Sequence, residues 1–184
     1  DDPQNEDAAE ALSVSASANG QWELLSDLLE RRFQIATGTR RRTAIALEAG
    51  HMHLEQLANT ETARLWFERA GELSADDPAV LGSLVELERS AGNEERLLDA
   101  LRRAIDASGR ESPLRLLLEA ASLLTEQAEH DHALHCLELA QYAHPEDPLV
   151  LEALAETYGN LHRHEDLVSV LERSASLPED DPVS

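Results

Sequence analysis

The stretch Ala133-Leu134-His135-Cys136-Leu137-Glu138-Leu139-Ala140, followed by Gln141-Tyr142-Ala143-His144-Pro145 and Glu146-Asp147-Pro148, decides the reading of this chain. Ala133, Cys136, Leu137 and Ala140 stand at offsets of three, four and seven, which places them on one helix face. Four further stretches align with it without gaps, at residues 25–32, 63–70, 97–104 and 167–174. In all five the first, fourth and fifth places are apolar. The eighth is small in four of them (Ala70, Ala104, Ala140, Ser174), and Arg32 is the exception. Pro78, Pro113, Pro148 and Pro182 punctuate the chain at spacings of 35, 35 and 34 residues. A period of that size marks a repeat architecture. Proline suits the first position of a helix, where no N–H donor is needed and φ is already helical.

Composition agrees with stacked helices. Of 184 residues 42% are hydrophobic but only 3% aromatic, so the core is built from leucine and alanine, both strong helix formers. The net charge is −22 and all 15 cations are arginine. Lysine-based covalent chemistry is therefore absent, and so acidic a surface repels nucleic acid and anionic membranes. One cysteine, Cys136, forms no intrachain disulfide. It shares its repeat place with Leu28, Trp66, Ala100 and Val170 and is expected to be a buried hydrophobe. Trp66 is expected to pack likewise, with Trp22 partly exposed. No apolar run is long enough to span a bilayer and no charged-then-apolar leader opens the chain. The expected location is cytoplasmic. Asp1-Asp2-Pro3 reads like Asp76-Asp77-Pro78, the end of a preceding repeat, so a fragment of a longer array is expected.

The pattern resembles the tetratricopeptide repeat (TPR), whose second helix carries a small residue, an aromatic or leucine, an alanine and then a proline. Ala133, Leu137, Ala140 and Pro145 match all four marks, and Ala63, Phe67 and Ala70 match three. Leu151, Leu154, Ala155 and Tyr158 fit the packing positions of that family's first helix. The glycine usual beside the second of these is read as missing from every unit, which implies looser packing within pairs. The resemblance implies an all-α, right-handed superhelical solenoid of stacked antiparallel helix pairs. It is read as one domain over 1–184, with units at about 5–37, 41–75, 78–109, 112–146 and 147–178.

Turn residues place ten helices at about 5–18, 21–36, 41–57, 60–74, 78–91, 93–108, 112–128, 131–143, 147–159 and 163–176. Asn19-Gly20, Gly92-Asn93 and Gly159-Asn160 are expected in left-handed breaks between paired helices, with Asn59-Thr60 and His130-Asp131 in the same place elsewhere. Arg31-Arg32 and Arg40-Arg41-Arg42 read as a charged loop and helix ends favoured near a C-terminal dipole.

Candidate sites are few. His130, His132 and His135, with His164 one repeat later, have metal-ligand spacing but fall at a polar turn; His51-Met52-His53 alternates around a helix. No phosphate loop, zinc-protease pair or nucleophile elbow appears, so no enzyme, cofactor or metal is expected. The resemblance implies instead a protein- or peptide-binding groove lined by the first helix of each pair. Its places fall on Asp7, Glu10, Val14 and Ser17, on Ile45, Glu48, Met52, Glu55 and Gln56, and on Gly82, Glu86, Arg89 and Ser90. They continue on Arg115, Leu118, Ser122, Thr125 and Glu126, then Leu149, Glu152, Glu156 and Asn160. Acids dominate, and the lysine, arginine and asparagine set with which family members clamp acidic tails is lacking. The expected partner is basic or neutral. A structural spacer in a longer array is the first alternative, and a metal-binding or enzymatic role through His130, His132, His135 and His164 ranks third. The segment 167–171 lacks a following helix, so end-to-end self-association, or raised mobility in the last helix, is expected.

Overall fold

The computed structural model describes residues 3–177, with side chains from Ala8 onward. Asp1, Asp2, Pro182, the fifth unit past Leu177 and the Asp7 side chain lie outside the described residues. Among the described residues there are ten α-helices and no strand. They are α1 (Pro3–Ala18), α2 (Trp22–Ile35), α3 (Thr39–Glu55), α4 (Thr60–Leu73), α5 (Pro78–Ala91), α6 (Glu94–Ser108), α7 (Leu114–Glu126), α8 (His130–Ala143), α9 (Pro148–Asn160) and α10 (His164–Ser176). A 3₁₀ turn at Gly109–Glu111 precedes α7. None of the described helices is long and apolar enough to cross a membrane.

Two kinds of turn build the repeat. Within each pair the chain reverses through one left-handed residue: Gly20, Ala58, Gly92, Ala128 and His162. In four turns the next residue's N–H donates five residues back, from Gln21 to Ala16 O, Asn93 to Glu88 O, Glu129 to Leu124 O and Arg163 to Tyr158 O. That bond closes orphan carbonyls of the first helix. In the second pair Asn59 N–H reaches six back, to His53 O, so this turn holds one extra residue. Gly159 and Asn160 lie inside α9 rather than at the break, which falls on His162.

Between pairs, Pro78 and Pro148 open α5 and α9. Asp77 caps the Ala79 N–H, and Asp147 caps those of Leu149 and Val150. Pro113 stands one residue before α7. There the 3₁₀ turn replaces the aspartate, and the Ser112 hydroxyl donates to Gly109 O at 2.7 Å.

The extra residue at Asn59 shifts α3 by one place. Counted from the capping bonds, Gly50 is the counterpart of Ala155, and the glycine read as missing is present in this unit. It is buried, and a β-carbon there would lie 2.2 Å from Phe67 Cε1. Arg40, Arg41 and Arg42 also fall otherwise than expected, in the first turn of α3, where the helix dipole disfavours cations. Glu10 accepts from Arg41 at 3.1 Å, and Arg42 lies over the Phe33 ring at 4.5 Å.

The chain divides into two compact units between Ala100 and Leu101, inside α6 rather than at a proline turn. In the first unit α1 to α5 pack in sequence, and α3 also touches α5. One apolar cluster runs there from Ala16 through Leu29, Phe33 and Ala49 to Ala70 and Val80. Arg64 of α4 pairs in bidentate fashion with the buried Glu88 of α5. That hydrogen bond holds the guanidinium above its ordinary pKa, against the opposing effect of burial. In the second unit α7 to α10 pack in sequence and α7 touches α9. Ala70, Ala104 and Ala140 are buried as their repeat place requires. Cys136 and Trp66 are also buried, and Trp22 packs half-exposed on the core of the first unit.

Candidate groove along the first helices

In the first unit α3 meets α5 and in the second α7 meets α9, so each unit sets two first helices side by side. In the first unit Glu48, Glu55 and Glu86 are exposed and Arg89 is half-buried. Met52, expected on the groove, is only 6% exposed and belongs to the core cluster. The one-place shift of α3 explains it: Met52 is the counterpart of the fully buried Leu87, not of Glu86. The residue at the Glu86 place is His51, whose Nε2 meets Ser83 Oγ at 3.0 Å and whose ring packs edge-on against Phe67. Glu48 turns toward α2 and accepts from Arg32 at 3.2 Å. Arg32, the departure from the small eighth place, is buried by that arrangement.

In the second unit Arg115, Glu126, Glu152, Glu156 and Asn160 are exposed. Five expected groove residues, Leu118, Ser122, Thr125, Glu126 and Glu156, are brought to one cavity of about 200 Å³ between α7, α8 and α9. Arg115, Glu152 and Asn160 do not line it. Sequence reasoning missed Thr157, which also lines it and donates from Oγ1 to Ala153 O at 2.8 Å. Its signal was the Thr125 pattern: each threonine stands four residues after an alanine on a first helix.

A second cavity of about 340 Å³ in this unit lies against α6, α7 and α8. Arg102 and His132 meet on Glu129 there, at 2.7 and 2.9 Å. Cys136 forms part of its floor, and burial pushes that thiol above its ordinary pKa, so little nucleophilic thiolate forms. His132 and His135 both line this cavity, whereas His130 and His164 do not. Among the described residues no group of three or more histidine, cysteine, aspartate or glutamate side chains could hold a metal ion. His164 lies 6.4 Å from His162, ring to ring, and His130 Nδ1 is buried without a hydrogen-bond partner.

No family model and no curated protein matches the sequence. Solved structures do match, 91 chains in all. MamA AMB-1 is 18% identical, covers 99% of this chain and 96% of its own, and superposes with a TM-score of 0.67. YrrB, described as a TPR protein with an unusual peptide-binding site, is 14% identical over 91% of this chain and 84% of its own, with a TM-score of 0.61. The fold is that of the tetratricopeptide repeat. A second MamA structure, 12% identical over 94% of this chain and 91% of its own, gives 0.64. At such identities the TPR likeness establishes the fold, and the side chains of this chain must carry the rest.

Proposed function

We propose that this protein is a non-catalytic scaffold that holds an extended segment of a partner protein against its first helices and prefers a basic or neutral segment. The observation that carries the reading is the cavity between α7 and α9, with Glu126 and Glu156 at its rim and no cation among its lining residues. The peptide-binding site ascribed to YrrB supports a peptide as the guest. The first unit, taken by itself, exposes Glu55 and Glu86 on its own first helices. Single exposed pairs contribute under about 1 kcal/mol, so selectivity must come from several acids together. It should fade with salt, because the Debye length is about 8 Å at physiological ionic strength.

The test is an arginine-rich against an acidic peptide panel at low and high salt. The basic set should bind better at low salt, and Glu126→Arg with Glu156→Arg should erase the difference while leaving the helical signal unchanged. Glu48 is left intact because its reversal would set a cation against the buried Arg32. Equal binding of both sets would mean that the acids only solvate the helices, which favours a spacer.

The exposed side of α10 supports self-association as a second role. At an offset of 34 residues, Leu134 is 6% exposed but Val168 53%, and Leu137 is 0% exposed but Leu171 51%. Helix α9 packs on α8, and no helix follows α10 among the described residues. A light-scattering mass that rises with concentration, and ceases to in Leu171→Glu, supports the contact. A constant monomer mass removes it.

A further inference from the structure

We propose that the cavity between α7, α8 and α9 is a socket for one lysine or arginine side chain of the bound segment, an inference that rests on the peptide reading above. At about 200 Å³ it is smaller than the roughly 300–1,000 Å³ of sites that enclose a whole small molecule. A single side chain suits it. Leu137 of α8 and Ala121 of α7 are buried at its floor, and Leu118 flanks them half-buried. An alkyl stem can lie along such a surface while its charged head stays at the mouth.

The polar rim selects the head group. Thr125 Oγ1 donates to Ala121 O and Thr157 Oγ1 donates to Ala153 O, both at 2.8 Å. A hydroxyl has one proton, so each threonine offers the socket only lone pairs. Glu126 and Glu156, ionised, are acceptors only. The Ser122 hydroxyl rotates to serve either role. No arginine, histidine, asparagine, glutamine or tryptophan lines the cavity, so nothing there presents a fixed side-chain N–H. A guest that brings acceptors finds only the rotatable Ser122 hydroxyl as a side-chain donor. A guest that brings the three N–H groups of an ammonium or the five of a guanidinium finds acceptors on two helices. The cavity against α6, α7 and α8 is the contrast, since there Arg102 and His132 supply the donors and Glu129 already takes both.

The experiment titrates the intact protein with four peptides that share their flanks and differ in one central residue: lysine, acetyl-lysine, norleucine or glutamate. Affinity is read by calorimetry and location by amide chemical shifts. The lysine peptide should bind roughly tenfold tighter than the acetyl-lysine and norleucine peptides, as expected for hydrogen bonds to a charged group. Shifts should centre on Thr125 and Thr157. Glu156→Gln should remove that preference without altering norleucine-peptide affinity, and so should Thr125→Val, which keeps the shape and deletes the acceptor. Binding in the groove with lysine and acetyl-lysine equal would overturn the socket and leave the groove reading standing. Absence of binding by every peptide would overturn both. The same shifts produced by magnesium chloride alone would assign the carboxylates to a divalent cation and overturn the socket.

Discussion

Replacing Ala58 and Ala128 with glycine should stabilise the protein, although each change deletes a side-chain methyl group. Both alanines hold left-handed backbone, with φ of 48° and 59°, at the place where Gly20 and Gly92 have φ of 66°. An L-residue there carries roughly 1–2 kcal/mol of steric strain. Glycine removes it but gives back about 0.4–1 kcal/mol through the greater freedom of the unfolded chain. Both alanines are exposed, so no buried area is lost. The net gain is about 0.5–1 kcal/mol per site, hence about 1–2 kcal/mol for two sites in separate turns. For a chain of this length that raises Tm by roughly 2–8 °C. The converse control is Gly92→Ala. A β-carbon at Gly92 would meet nothing within 4 Å, so any loss is backbone strain and not a clash. It should cost about the same amount that each reverse change gains. Urea unfolding followed by far-UV circular dichroism measures all three variants. If the alanine-to-glycine pair fails to raise the midpoint, or Gly92→Ala costs no more than the roughly 0.5 kcal/mol of an ordinary surface change, the left-handed turns do not store the strain assigned to them.

Gly50→Ala should destabilise by more than the usual 1–3 kcal/mol of overpacking, because the new carbon would enter the Phe67 ring space and both residues are buried. A melting curve close to wild type would show that α3 and α4 are less closely packed than described. His53 supplies a pH dependence. It is 6% exposed, its Nε2 lies 3.1 Å from Ser26 Oγ and its Nδ1 has no partner, and burial lowers its pKa below the ordinary 6.5. A depressed folded-state pKa means that the unfolded chain takes up the proton first. The contribution is therefore full above pH 6.5 and is lost as pH falls toward the folded value. The denaturation midpoint of wild type should fall over that window more than that of His53→Leu; parallel curves would refute the assignment.

The elements were legible because each repeats a short-range pattern. The five gap-free second helices fix which side of a helix is buried, and this needs nothing beyond the 3.6-residue period. What the sequence hid was tertiary or cumulative. The Arg64–Glu88 pair joins two helices through a contact that no local spacing announces. Thr157 counts as an ordinary helix residue until α7 is set beside α9. The left-handed residue of three turns is alanine or histidine, which carry no turn signal of their own, so Gly159 drew a break that belongs to His162. Met52 and Gly50 were misread for a single reason. The turn before Asn59 is one residue longer than its counterparts, and a helix read from its start by repeat period inherits that error along its whole length. One residue rotates a helix by about 100°, enough to exchange a groove position for a core position. Register in such an array is therefore set turn by turn, and the capping bonds, not the proline period, determine which side chains a partner can meet.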